Sequence, residues 1–137
     1  MISLAGVIAW FLSISFLADP VSHALVSSYR NAIREESPII RAGVQYDGWY
    51  DGHTGAISID WPRIRALLPR EDDARAVAAC LAVHEAVHRE LGDASHRLPL
   101  LHQYVCLDRM GAPEWIKDMA YWQLERLMVT PAREEED

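Results

Sequence analysis

The chain has 137 residues, half of them apolar, which gives room for one domain whose core needs no disulfide framework. It is acidic, with 20 Asp and Glu against 13 Lys and Arg, and it shows neither a basic stripe nor an RNA-binding signature, so the electrostatic footprint of a nucleic-acid binder is absent. Part of the acidic excess falls in Glu134, Glu135, Glu136 and Asp137, a solvated tail over residues 131–137. Cys80 and Cys106 are the two cysteines, too few for a cysteine-based zinc module.

Residues 1–18 carry no charged side chain and differ from everything after them. The run is near the short limit for a membrane span. It fits the apolar region of a signal peptide, with Ser22 and Ala24 as a small-x-small cleavage site, although a positive n-region is missing. Residues 1–24 are therefore expected to be a signal peptide or an N-terminal membrane anchor, and residues 1–18 to touch the membrane. The protein would then be secreted or membrane-anchored, with its folded domain over residues 25–130. The alternative is a buried first helix in a cytoplasmic protein.

Asp19 can cap, and Pro20 can start, a helix running to about Glu36 with Val21, Leu25, Val26, Tyr29 and Ile33 on one stripe; Ser37-Pro38 ends it. Residues 39–60 change character: Ile39, Ile40, Val44 and Tyr46, the turn pairs Asp47-Gly48 and Asp51-Gly52, then the alternating Ala56-Ile57-Ser58-Ile59-Asp60. This pattern predicts two or three short antiparallel strands. Pro62 and Pro69 frame a helical turn around residues 64–68.

Glu71-Asp72-Asp73 then opens a long helix over about 73–91, where negative charge suits the helix dipole. That helix is rich in Ala, Val and Leu on every face and stops at Gly92, which predicts a central, buried element. A polar loop leads into a helix over about 98–110, closed by Gly111, and Pro113 starts a last helix to about Met128 with Trp115, Met119, Trp122 and Leu127. The expected class is α+β, a small antiparallel sheet packed on the long helix with further helices around it.

Inside the long helix stands His84-Glu85-Ala86-Val87-His88. Histidines at i and i+4 lie one turn apart on one face, close enough for both imidazoles to meet one tetrahedral metal. Glu85 lies at the edge of that face, where it can hold a water, take its proton and pass it to a leaving amine. The metal expected is Zn2+, which lowers the pKa of its bound water to about 7. Such a pattern can arise by chance, but on a buried helix each of the three polar groups carries a desolvation cost that a metal partner would offset.

Catalytic zinc takes three protein ligands and a water, so a third must come from Asp93, His96, His102, Asp108 or Glu114. The position six residues after His88, where a glycine turn can bring in a third histidine, is Ala94. His102 is better placed. If the next helix folds back antiparallel so that His102 faces His84, the same register sets Cys106 against Cys80, and in an oxidising compartment the two cysteines could bridge.

These residues resemble the zincin metallopeptidases, most closely their minimal, gluzincin-like single-domain members, over roughly residues 39–112. The resemblance rests on Tyr46-Asp47-Gly48 with the Thr-Gly-Ala-Ile-Ser-Ile-Asp stretch at 54–60, on the motif itself, and on His102-Gln103-Tyr104-Val105-Cys106 with Gly111 beyond. The last departs from the pattern, since those families usually place a glutamate where His102 stands. The resemblance implies a zinc metallopeptidase acting on a peptide or protein, with His84, His88 and His102 as ligands and Glu85 as general base. It also gives Ile57-Ser58-Ile59 a task as an edge strand pairing with substrate, and makes Tyr46, Tyr50, His53 and Tyr104 candidates for stabilising an oxyanion. A non-catalytic metal-binding or regulatory module, or a zinc hydrolase of a non-peptide amide or ester, are the competing functions.

Overall fold

The computed structural model describes residues 2–36, 39–41, 44–91 and 96–129, with the backbone alone at 15–18, 39–41, 44–46 and 123–129. The chain opens with α1 (Leu4–Ala18). Asp19 caps α2 (Pro20–Tyr29) by accepting the Ser22 N–H, and Pro20 sits in the first turn, where its missing N–H is harmless. The helix stops seven residues before the expected Glu36: a 3-10 turn (Arg30–Ala32) leads into strand β1 (Ile33–Glu35). β1 pairs in parallel with β5 (Ile57–Ile59), Ile33 opposite Ile57. A local apolar stripe cannot reveal that partner, and the strand pairing outweighs the weak helical preference of a β-branched residue.

β2 (Ile39–Arg41) and β3 (Val44–Tyr46) form a separate antiparallel pair. β4 (Gly48–Tyr50) pairs antiparallel with β5, giving a three-stranded sheet in the order β1-β5-β4. The turn between them is held by the Asp51 carboxylate, which accepts the N–H groups of His53 at 2.8 Å and Thr54 at 3.4 Å. Those bonds favour the charged form and hold the Asp51 carboxyl below its ordinary range. The class is α+β as expected; the sheet is mixed rather than wholly antiparallel because β1 joins it.

Asp60 caps α3 (Trp61–Leu67) through the Arg63 N–H. α4 (Glu71–Leu91) carries three acidic residues in its first turn and buries Ala74, Ala78, Ala79, Ala82 and Ala86 completely. These small side chains let α1, α2, α3, α5, β4 and β5 all reach the same helix. On the sheet side the fit is tight, since a Cβ on Gly48 would stand 2.8 Å from Leu81 Cγ. α5 (Arg97–Arg109) ends where Gly111 takes a φ of 75°, the left-handed conformation that lets the Ala112 N–H reach back to the Leu107 carbonyl at 3.0 Å. α6 (Glu114–Val129) packs on α5.

Core contacts decide how α1 sits. Leu4, Val7, Ile8 and Phe11 of α1 are buried in the common core, and the Trp61 indole N–H donates to the Ile2 carbonyl at 3.0 Å. Among the described residues no helix is long and apolar enough to cross a membrane. α1 thus takes the packed-helix arrangement, one of the two alternatives open from sequence. Because Phe11 is fully buried, Phe11→Ala should cost about 3–5 kcal/mol in urea unfolding; a loss below about 0.5 kcal/mol, the level of a surface change, would show that α1 does not belong to the core.

Candidate metal centre

The segment 84–88 lies in the buried middle of α4, and its helical pitch sets the two imidazoles on one face with ring centroids 5.0 Å apart. The third imidazole is that of His96, the residue immediately before α5, with its ring 4.8 Å from His84 and 5.4 Å from His88. One nitrogen from each of the three lies within 4.8 Å of the others. Nitrogens sharing a tetrahedral zinc at about 2.0 Å stand roughly 3.3 Å apart, so the three nitrogens would draw closer on sharing one ion. Neutral imidazoles suit zinc and neighbouring divalent transition metals. The donor set therefore fits the metal expected from the motif.

His102 does not join this group; it is half-buried on α5. The reason is angular. Cys80 and Cys106 are disulfide-bonded with Cα atoms 5.6 Å apart, so the antiparallel register of α4 and α5 agrees with the expected one. From Cys106 a step of four residues turns a helix by about 400°, so residues 102 and 103 flank the line facing His84. Gln103 falls on the near side, and its side-chain oxygen lies 2.8 Å from His84 Nδ1.

Glu85 is only 2 % exposed, and its Oε2 stands 3.9 Å from His84 Nε2, so the carboxylate lies beside that ring nitrogen. The remaining third-ligand candidates are elsewhere. Asp108 and Glu114 both bind Lys117, at 3.0 and 2.9 Å, where α5 passes into α6, and the two carboxylates push the Lys117 ammonium above the ordinary lysine range. Asp93 lies outside the described residues.

Of the other groups named from sequence, His53 occupies the exposed turn after β4, Tyr50 is half-buried on β4, and Tyr104 meets the Tyr121 ring at 6.0 Å. The side chain of Tyr46 is outside the described residues. The edge-strand task for Ile57-Ser58-Ile59 is corrected, since β5 is the middle strand and is hydrogen-bonded on both sides by β1 and β4. Sequence reasoning ranked His96 below His102 and overlooked Gln103. The signal for His96 is positional: an antiparallel helix must start beside the end of the one before it, which here is the His88 end of α4. A cavity of about 420 Å3 opens at the other end of α4, among Trp10, Arg70, Asp72, Arg75 and Pro113. No histidine lines it, so it is separate from the imidazole cluster.

No protein-family model, no curated protein and no solved structure matches the chain. The likeness to zincin metallopeptidases rests on the motif and its surroundings alone. On this geometry His96→Ala should weaken zinc binding, measured by chelator competition, by more than the roughly 10–100-fold typical of outer-shell changes, and His102→Ala should leave it unchanged. The reverse pattern would restore His102 as the ligand.

Proposed function

We propose that this chain is a zinc-dependent metallopeptidase in which His84, His88 and His96 hold the metal and Glu85 serves as general base. The observation that carries the reading is the convergence of three imidazoles beside one buried carboxylate. Three imidazoles would match the number of protein ligands in catalytic zinc sites, which also take a water or substrate. Zinc, when bound, supplies a Lewis acid for the substrate carbonyl and makes water acidic enough to deprotonate near neutral pH.

The protein's own part is proton management and exclusion of bulk water. Glu85 accepts a proton from the attacking water on a carboxylate oxygen as the O–C bond forms. It then gives that proton to the amine nitrogen as the C–N bond breaks. Its position one residue after His84 sets it about 100° around the helix from that ligand, so it borders the metal without occupying a ligand position. A secreted, oxidising setting belongs to the same proposal, because a Cys80–Cys106 bridge suits such a compartment.

A second reading is favoured by one observation: His84, His88 and Glu85 are 4 %, 3 % and 2 % exposed. So enclosed a centre suits a module that holds metal without turnover. Glu85→Gln separates the two. In a casein cleavage assay on zinc-loaded protein it should retain the metal and lose about 10²–10⁴-fold in rate. Wild-type protein that holds zinc but cleaves neither peptides nor simple amides and esters would favour the metal-holding module, and undiminished cleavage by Glu85→Gln would remove Glu85 from the mechanism.

A further inference from the structure

We propose that Gln103 is a positioning residue for this centre, holding His84 in the one tautomer that presents Nε2 to a metal. The proposal rests on the metal reading above. The oxygen of the Gln103 side chain lies 2.8 Å from His84 Nδ1, an ordinary hydrogen-bond length. An amide oxygen accepts and does not donate, so Nδ1 holds the ring proton and Nε2 keeps its lone pair. Nε2 is also the nitrogen nearest Glu85, at 3.9 Å, so the atom left with the lone pair points to the side where the carboxylate stands.

The pairing is built into the helix packing. His84 is 4 % exposed, so the amide takes the place of water at a nitrogen that would otherwise be desolvated. Four residues before His84 and three after Gln103 the helices are joined covalently through Cys80 and Cys106, which fixes how far α5 can slide along α4. A neutral imidazole in water mostly carries its proton on Nε2, the wrong nitrogen for this centre. The hydrogen bond reverses that preference before any metal arrives, so no tautomer shift is needed on binding. The choice of an amide also orients the ring without adding a second negative charge beside the buried Glu85.

Three proteins test this: wild type, Gln103→Met, which keeps the length and removes the acceptor, and Gln103→Glu, which keeps the acceptor. Long-range proton–nitrogen NMR of the metal-free proteins reads the His84 tautomer, and chelator competition reads zinc affinity. Wild type and Gln103→Glu should carry the proton on Nδ1. Gln103→Met should shift it toward Nε2 and bind zinc about 10–100-fold more weakly, whereas Gln103→Glu should bind no more weakly than wild type. The Nε2–H tautomer in wild type, or zinc affinity in Gln103→Met within about twofold of wild type, would overturn the proposal. Should Gln103→Met not fold, weakened zinc binding or an Nε2–H tautomer in Gln103→Glu would do the same. Wild-type protein that binds no zinc would overturn the metal reading itself, and this one with it.

Discussion

The antiparallel packing of α5 on α4, joined through Cys80 and Cys106, decides which groups meet the His84–His88 face of the candidate metal centre. Closing a loop of this length restricts the unfolded chain by about 3.5 kcal/mol in the chain-entropy description. Its local effect matters more here: with the helices fixed one turn below the motif, the start of α5 must lie against the His88 end of α4. His96 reaches the motif from just before that helix, as a third imidazole, and Gln103 from within it, through a hydrogen bond to Nδ1.

α4 is an unusual place for polar groups. Its neighbours on every side bury Ala, Val and Cys, and the alanines bring α1, α2 and β4 close enough to exclude water. A helix with apolar side chains at 84, 85 and 88 would satisfy those contacts with no desolvation cost, which for buried ionisable groups reaches several kcal/mol each. Two histidines and a glutamate stand at such positions instead, with a third histidine beside them. This is the kind of local conflict with core formation that marks functional sites.

Much of the helical frame was legible in the chain. The acidic start at Glu71 and the stop before Gly92 bound α4, Pro113 precedes α6, and Gly111 closes α5 for a reason visible in its positive φ. What was not legible depends on contacts distant in sequence. β1 is a strand because β5 lies beside it, and residues 33–35 read alone continue the stripe of α2. α1 reads as an export or anchor segment because it is apolar all round, a property shared by membrane helices and by helices enclosed in a core. In the site, the motif and the Cys80–Cys106 register followed from spacing, whereas which of residues 102 and 103 meets His84 turned on an angular offset smaller than one residue.

Zinc K-edge X-ray absorption of the loaded wild-type protein tests the central claim most directly, because it counts ligands by type without relying on activity. The account predicts three imidazole nitrogens and one oxygen at about 2.0 Å. Fewer than three imidazoles, or a sulfur shell near 2.3 Å, would contradict a centre built from His84, His88 and His96.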